Sequence, residues 1–382
     1  MTKTSLFACT ISVALLGCAP ATSGGPPSLA GGTGPEVRNI ILMIADGAGP
    51  GLWSAAAYGA DQLAVKRMPI GGIVDTRSAR HRVTDSAAAA SVYATGERVT
   101  NRTISVGPDC PVPASNDTTV VAWATGCEPI ETWFEIARAK GKGTGLLTTT
   151  AIVDATPASF VAHSPSRYWG DLIAEQMVDA GLDVLLGGGR RHFTAMGRND
   201  GRDLLGPMCE RSDCFTSAEA FLGYTPTERP LVGLFAQGDM DSANPRTLSI
   251  SVMVEAALAK LGRSPNGFVA MFETESTDNT THDNAPIEVI TDRILEFDRA
   301  VGVVLDFAQR TPGTLVIVTG DHDTAGIALV EAGIGTRLEY ANTGHSAAPV
   351  PLFAEGPRAE QFGGYRENYE IGRMLMEIVR GW

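Results

Sequence analysis

Carboxylate and histidine side chains follow several short apolar segments of this 382-residue chain, in a pattern that suits metal binding. They are Asp46 after NIILMIA, Glu273, Asp278 and His282 after GFVAMF, Asp321 and His322 after TLVIVTG, and His345 just before VPLFA. Gathering such groups beside apolar strands is costly unless a cation compensates their charge. Zn²⁺ takes imidazole nitrogen and carboxylate oxygen, whereas Mg²⁺ takes oxygen ligands. The pattern therefore predicts bound divalent cations, and we interpret the remaining histidines, His81, His163 and His192, as structural or surface residues.

A serine stands at the head of an alanine run in RVTDSAAAASVYATG, residues 82–96. Thr84 or Asp85 can cap a helix whose interior is residues 87–90, and Gly96 can end it. Ser86 then lies in the first turn, where unpaired N–H groups and the helix dipole stabilise an anion. One interpretation is an ordinary capped helix packed through small residues. The other is a nucleophile, because a nearby cation lowers the pKa of a serine hydroxyl and small neighbours leave room for a phosphoryl group.

The segment VDATPASFVAHSPSR carries Asp154, Thr156 and Arg167 after another apolar run. An arginine can grip two phosphate oxygens at once. Two cations about 4 Å apart can hold a phosphoryl group between its attacking and leaving oxygens. A serine, an arginine and two sets of metal ligands together predict phosphoryl-group chemistry.

Short apolar runs that alternate with helical patterns must position these side chains. We predict strands at residues 39–45, 145–149, 183–186, 231–235, 267–272, 314–319 and 350–354. We predict helices at residues 130–139, 172–180, 250–261, 287–308 and 369–379. The alternation indicates an α/β fold, a single domain with a central, largely parallel sheet between helices. In such sheets, ligands bind beyond the carboxyl ends of the strands. We expect residues 100–127 and 190–228 to be surface excursions.

The N-terminus and the cysteines indicate export. Residues 1–18 resemble a lipoprotein-type signal peptide in which Cys18 would be lipidated, although a plain secretory signal is the alternative. Residues 19–35 are expected to form a flexible linker and residues 36–382 the catalytic domain, in a periplasmic or outer-membrane-anchored bacterial protein. Apart from Cys9 and Cys18, the chain has four cysteines, which suggest two disulfides; we expect Cys110–Cys127 and Cys209–Cys214, although sequence leaves the connectivity open. A net charge of −13 argues against nucleic-acid binding.

The sequence resembles the alkaline phosphatase family over most of residues 37–360, in the family's motif order. TDSAAAASVYATG is similar to the nucleophile motif, and DATPASFVAHSPSR to the segment with a metal-site threonine and the phosphate-binding arginine. ETESTDNTTH, GDH and GHS…VPLFAEGP are similar to the metal-ligand segments. The resemblance implies hydrolysis of phosphate monoesters to an alcohol and inorganic phosphate. Ser86 would take the phosphoryl group as phosphoserine, Arg167 would bind phosphate, and Asp85 would orient Arg167.

The resemblance also implies two zinc ions and one magnesium ion. The implied ligands are Asp46, Asp321 and His322 for the zinc beside Ser86, Asp278, His282 and His345 for the zinc on the leaving-group side, and Asp46, Thr156 and Glu273 for the magnesium. Asp154, near the magnesium position where some members have histidine, should favour Mg²⁺ over a third Zn²⁺. Asn279 replaces a lysine or histidine of some members, which should weaken water-mediated phosphate contact. Asp323 replaces a histidine, and either supports the ligands or lies on the surface.

Two alternative functions are compatible with these residues. A phosphodiesterase or phosphonate hydrolase of the same superfamily must seat a second ester group where Arg167 grips a free oxygen. A non-catalytic metal- or phosphate-binding lipoprotein should lack the nucleophile or a ligand, and neither is missing. The expected partners are small phosphate monoesters and, in a homodimer, a second copy of the chain. Membrane contact would come only through the lipid anchor.

Overall fold

The computed structural model of the chain describes residues 1, 36–113, 126–240, 248–333 and 335–382. The predicted linker, Cys18 and nearly all of the predicted signal peptide lie outside the described residues. Pro35–Trp382 form one compact unit. Within the described residues, none of the helices has both the length and the apolar character needed to cross a membrane.

The described part of the chain contains fourteen strands, ten of which form one sheet. The strands are β1 Asn39–Ala45, β2 Ile70–Asp75, β3 Gly143–Ala151, β4 Val184–Gly188, β5 Asp213–Phe215, β6 Leu231–Leu234, β7 Phe268–Thr274, β8 Thr314–Thr319, β9 Asp323–Thr324, β10 Ala328–Ala332, β11 Gly335–Glu339, β12 His345–Ser346, β13 Val350–Glu355 and β14 Gly364–Glu367. The sheet order is β14-β2-β13-β8-β1-β7-β3-β4-β6-β5. β13 is antiparallel to both of its neighbours, and the other pairs in this sheet are parallel. β9 with β12 and β10 with β11 form two small antiparallel pairs.

Helices cover both faces of the sheet. They are α1 Pro50–Gly59, α2 Ser86–Thr95, α3 Trp133–Ala139, α4 Ala155–Ala158, α5 Gly170–Ala180, α6 Leu205–Arg211, α7 Ala218–Phe221, α8 Ile250–Leu261, α9 Ser276–His282, α10 Ile287–Arg310 and α11 Asn368–Arg380. Alternate residues of β1 enter two separate cores, because side chains of a strand point to opposite faces. Ile40 and Leu42 pack in the core formed with α2, α3, α5 and α11, whereas Ile41 and Met43 pack in the core formed with α1, α8 and α10. The predicted α/β fold is confirmed.

The sheet edges differ most from the predictions. β2 (IGGIVD) and β14 (GYRE) were not predicted, and residues 190–228, expected to be a surface excursion, supply the edge strand β5. These strands are short or rich in glycine, so their neighbours rather than their own propensity hold them in the sheet. The predicted helix at residues 130–139 begins only at Trp133, since Thr132 and Glu135 form a capping box there.

Both predicted disulfides are present, between Cys110 and Cys127 and between Cys209 and Cys214. The first joins segments on either side of residues 114–125, which lie outside the described residues. The second links α6 to β5 at the sheet edge.

Candidate active site

The candidate site lies at the carboxyl ends of three adjacent parallel strands, β8, β1 and β7. Ile44 of β1 is in register with Glu273 of β7 on one side and with Thr319 of β8 on the other. Asp46 therefore leaves β1 close to Glu273 and close to the Asp321–His322 pair that follows β8. In α/β proteins, ligands bind at this end of the parallel strands.

A fully buried cluster forms around His322. Its Nε2 lies 3.3 Å from Asp46 Oδ1 and 3.3 Å from Asp321 Oδ2, and all three side chains have 0% exposure. Two backbone N–H groups, of Gly47 and His322, donate to the other Asp321 oxygen at 3.0 and 2.9 Å. The cluster thus presents one imidazole and two carboxylates, a donor set that suits Zn²⁺.

Ser86 joins this cluster from the first turn of α2. Its Oγ lies 3.2 Å from His322 Nε2, and the residue is only 5% exposed. Asp85 is the N-cap: one of its oxygens accepts from Ala88 N at 3.0 Å and the other from Arg102 N at 2.9 Å. Of the two predicted caps, Asp85 therefore fills the role. The helix N-terminus faces the hydroxyl and can stabilise an oxyanion at this position.

A second cluster contains Asp278, His282 and His345. Asp278 and His282 are one turn apart on α9, with His282 Nε2 3.2 Å from Asp278 Oδ2. The two histidines bring their Nε2 atoms within 3.2 Å of each other. Each Nδ1 faces a backbone carbonyl, that of Thr343 at 2.6 Å from His282 and that of Thr84 at 2.9 Å from His345. Because a carbonyl can only accept, each Nδ1 carries a proton, and each Nε2, once it is deprotonated, can offer a lone pair to a metal ion at the same point.

A third cluster consists of carboxylates alone. One oxygen from each of Asp46, Glu273 and Glu275 lies within 4.8 Å of the others. Thr148 Oγ1 donates to Glu273, and Thr156 Oγ1 lies 3.5 Å from Asp46 Oδ2. Oxygen donors without imidazole or thiolate suit a hard cation such as Mg²⁺.

Three buried oxygen atoms in these clusters have no hydrogen-bond partner among the described residues. They are Asp46 Oδ1, Glu273 Oε1 and Asp321 Oδ2. Buried polar atoms are normally paired, so each such atom in a native structure needs an explanation. Divalent cations would satisfy all three, and the donor sets of the clusters fit metal ions.

The electrostatics of the protein alone agree with that fit. Burial raises the pKa of Asp46 well above its ordinary value, that of Glu273 to about 8 and that of Asp321 to about 7. Burial lowers the pKa of His322. Without cations these buried groups favour their neutral forms, and a bound cation would favour the ionised carboxylates instead.

The second cluster behaves differently because its members compensate one another. Burial opposes ionisation of Asp278, but hydrogen bonding by His282 and the nearby imidazoles hold its pKa at about 2. The hydrogen bond to Asp278 in turn raises the pKa of His282 to about 9. In the cation-free protein at neutral pH, a proton on His282 thus stands where a metal ion would bind.

Arg167 lies against two carboxylates, one of which belongs to Asp85, the residue before Ser86. Its Nη2 donates to Asp154 Oδ1 at 2.8 Å, and its Nη1 lies 3.5 Å from Asp85 Oδ2. Burial would lower the pKa of Arg167, but the charges of Asp154 and Asp85 outweigh it and raise the pKa. Asp154 thus lies against Arg167 and caps α4 through Ala155 N, and it is not among the three ligand clusters of the described residues.

Sequence reasoning missed two residues that lie in the site. Glu275 was passed over although ETES offers a second carboxylate two residues after Glu273. Thr324 was also missed: its Oγ1 donates to Asp278 and lies 3.2 Å from His322 Nδ1, so it bridges two clusters. Nothing in the sequence around Thr324 indicates this contact.

Two of the predicted supporting residues lie at different depths. Asp323 is only 1% exposed and accepts hydrogen bonds from Ser346 and from Gly326 N, so its interpretation as a surface residue is wrong. Asn279 is exposed on α9.

A glycine is needed at position 47 because the chain passes close to two side chains of the site. A Cβ there would lie 2.7 Å from Asp278 Oδ1 and from Thr324 Oγ1, and the backbone φ is +70°.

Comparison with known proteins identifies close similarity to phosphatases. The family model described as alkaline phosphatase matches residues 37–336. Streptomycin-6-phosphate phosphatase of Streptomyces griseus is 30% identical over 87% of this chain and 88% of its own length. Among solved structures, alkaline phosphatase from the Antarctic bacterium TAB5 has a TM-score of 0.80 and 29% identity, covering 91% of this chain and 99% of its own. A variant of the TAB5 enzyme with Mg bound in its M3 site has a TM-score of 0.78 and 28% identity, with the same coverage of 91% and 99%.

Proposed function

Because the chain belongs to the alkaline phosphatase family, we propose that it hydrolyses phosphate monoesters to an alcohol and inorganic phosphate through a phosphoserine at Ser86. The observation that carries this proposal is the position of the Ser86 hydroxyl. It lies at a helix N-terminus, 5% exposed, 3.2 Å from His322 in a buried set of metal donors. A serine placed only for packing would have no need of that set of ionisable neighbours.

In the proposed reaction, Ser86 Oγ gives up its proton and forms a bond to phosphorus while the bond from phosphorus to the alcohol oxygen breaks, and the departing oxygen takes up a proton to become the alcohol. Water then attacks the phosphoserine and releases inorganic phosphate, which restores the Ser86 hydroxyl. The positive end of the α2 helix dipole stabilises negative charge on the serine oxygen. Arg167, oriented by Asp154 and Asp85, donates to the non-bridging oxygens of the phosphoryl group.

We assign the cations by donor chemistry as two Zn²⁺ and one Mg²⁺. The residues that would hold them are Asp46, Asp321 and His322 for the zinc beside Ser86, Asp278, His282 and His345 for the zinc on the leaving-group side, and Asp46, Thr156 and Glu273 for the magnesium. When bound, the cations supply positive charge that lowers the pKa of the serine hydroxyl and of water and stabilises the phosphoryl oxygens.

Export is part of the same proposal, because disulfides persist in oxidising compartments. The two disulfides support a periplasmic or outer-membrane-anchored protein. Lipidation of Cys18 and assembly as a homodimer stay predictions from the sequence. The proposed partner is a small phosphate monoester.

Hydrolysis of p-nitrophenyl phosphate and of bis(p-nitrophenyl) phosphate tests the proposal, using protein that lacks residues 1–18, with and without added Zn²⁺ and Mg²⁺. We expect a metal-dependent monoester reaction with little diester cleavage, because a diester carries a second ester group in place of one of the three free oxygens, where Arg167 would bind. Ser86→Ala should abolish the reaction, whereas the matched variant Ser54→Ala, on the exposed side of α1, should retain it. Dominant diester cleavage would favour a phosphodiesterase, and no reaction with any metal would favour a binding protein.

A further inference from the structure

We propose that Glu275 is an additional ligand in the carboxylate cluster and that, together with Asp46 and Glu273, it makes this site selective for a hard divalent cation over Zn²⁺. The proposal deepens the proposed function, on which it rests for the presence of a cation. It adds a third carboxylate to the two that the sequence predicted there.

The position of Glu275 is set by the local backbone. It directly follows β7 and is the N-terminal flanking residue of α9, so it stands between Glu273 and the ligand pair Asp278–His282. Its backbone N–H donates to Thr149 Oγ1 at 3.0 Å, which ties this turn to β3. The neighbouring Thr148 of β3 holds Glu273 through a hydrogen bond. Two successive threonines of β3 thus hold both glutamates at the carboxyl end of β7.

The Glu275 carboxyl group points toward Asp46. One oxygen from each of Asp46, Glu273 and Glu275 lies within 4.8 Å of the others. Asp46 and Glu273 have 0% exposure. Three carboxylates so close together repel one another unless a proton or a cation lies between them.

An unpartnered oxygen atom indicates that the space between these groups is a ligand position. Glu273 Oε1 is buried without a hydrogen-bond partner among the described residues. Asp46 Oδ1 has no such partner either, but it lies on the side of the first cluster, 3.3 Å from His322 Nε2. Arg167 acts on Glu275 through its charge, but Asp154 at 2.8 Å and Asp85 at 3.5 Å already engage its terminal nitrogens. Apart from His322, whose Nε2 lies 3.3 Å from Asp46 Oδ1, the cluster is contacted by the hydroxyl groups of Thr148 and Thr156, which add oxygen atoms but no positive charge.

The chemistry of this donor set decides which cation it prefers. It offers carboxylate and hydroxyl oxygens and contains no imidazole or thiolate, whereas the two neighbouring clusters each contain at least one histidine. Mg²⁺ and Mn²⁺ prefer oxygen ligands, and Zn²⁺ gains most from nitrogen and sulfur. A third carboxylate strengthens the attraction for any dication without adding a soft donor, so Glu275 favours the hard cation at this site.

Metal binding tests this inference without relying on turnover. Zinc-loaded, magnesium-free protein would be titrated with Mn²⁺, with free Mn²⁺ followed by electron paramagnetic resonance and bound zinc by elemental analysis. The variants are Glu275→Gln, which removes the charge but keeps the shape, and Glu288→Gln, a matched change at an exposed glutamate in the first turn of α10. We expect Glu275→Gln to weaken Mn²⁺ binding about 10–100-fold and to keep the zinc content of the unaltered protein. Glu288→Gln should match the unaltered protein in both Mn²⁺ affinity and zinc content.

Two outcomes would overturn the inference. One is Mn²⁺ affinity in Glu275→Gln equal to that in Glu288→Gln, and the other is loss of zinc together with Mn²⁺. If Glu275→Gln does not fold, Glu275→Asp can replace it, because aspartate keeps the charge on a shorter side chain. We expect Glu275→Asp to retain zinc and to bind Mn²⁺ more weakly than the unaltered protein. Unchanged Mn²⁺ affinity would again overturn the inference. Failure of the proposed phosphatase reaction would leave these binding results intact, so the two failures are distinguishable.

Discussion

Replacing Arg167 with alanine removes the side chain to which we assign the grip on phosphate. The Arg167 side chain is 17% exposed, and its guanidinium lies between Asp154, at 2.8 Å, and Asp85, at 3.5 Å. These two contacts fix its orientation while leaving further N–H donors for phosphate oxygens. Removal of the guanidinium also leaves two carboxylates facing the phosphate position without their cation, which adds repulsion to the lost hydrogen bonds.

The magnitude follows from the bonds that the substrate would lose. Two charge-assisted hydrogen bonds at about 1.5–3 kcal/mol each amount to about 3–6 kcal/mol of transition-state stabilisation. Since about 1.4 kcal/mol is a factor of ten, Arg167→Ala should lower kcat/KM for a monoester about a hundredfold to ten-thousandfold. Arg167→Lys keeps the charge but loses the paired planar donors, so its kcat/KM should lie between that of the unaltered protein and that of Arg167→Ala.

Steady-state kinetics with p-nitrophenyl phosphate, together with zinc and magnesium contents, measure this effect. Arg67→Ala is the matched control, because Arg67 forms an ion pair with Asp306 in which both side chains are about half exposed. We expect metal contents to stay unchanged in both variants. A decrease of less than about threefold in kcat/KM for Arg167→Ala, with metals retained, would refute the assigned grip.

Three further predictions concern stability. Burial lowers the pKa of His163, but its hydrogen bonds to Glu135 and to the Ser105 carbonyl outweigh burial, so the pKa is raised in the folded protein. The contribution of this pair to the free energy of unfolding is therefore complete below the pKa of the unfolded chain, about 6.5, and is lost as pH rises through the pKa of the folded protein. A double-mutant cycle of Glu135→Gln and His163→Gln by urea unfolding should give about 0.5–1 kcal/mol near pH 6 and less at pH 9; a coupling that grows with pH would contradict this. Asp85→Ala should lower the free energy of unfolding by about 1 kcal/mol, since it removes the cap of α2, whereas Asp85→Asn should retain most of that stability because its amide oxygen can still accept from Ala88 N. Chelation should lower the melting temperature by calorimetry, since it leaves buried carboxylates uncompensated, and Zn²⁺ with Mg²⁺ should restore it; an unchanged melting temperature would mean that no structural cation had been present.

The strands that carry the site were predictable because their pattern is local. NIILMIA and TLVIVTG are apolar on both faces, as strands buried between two helical layers must be, and polar residues mark where each ends. β2 and β14 could not be predicted in the same way, since IGGIVD and GYRE have weak propensity of their own. Their strand geometry comes from pairing with residues far away in the chain.

The candidate site was predictable to the extent that its residues follow strands. Asp154 and Glu275 show the limit of such reasoning. The carboxylate of Asp154 lies against Arg167, and Glu275 enters the carboxylate cluster through a turn held by Thr149. Both outcomes depend on side-chain directions that are set by tertiary contacts, which spacing along the chain does not determine.

Identification of a phosphoryl group on Ser86 tests the proposed mechanism most directly. The metal-loaded protein would be mixed with a phosphate monoester, quenched in acid and digested, and the peptides analysed by mass spectrometry. We predict that the peptide containing Ser86 gains the mass of one phosphoryl group, that fragmentation places it on Ser86, and that Ser86→Ala shows none while Ser54→Ala behaves like the unaltered protein. Turnover without a phosphopeptide, or a phosphoryl group on a different residue, would contradict the role of Ser86 as the nucleophile.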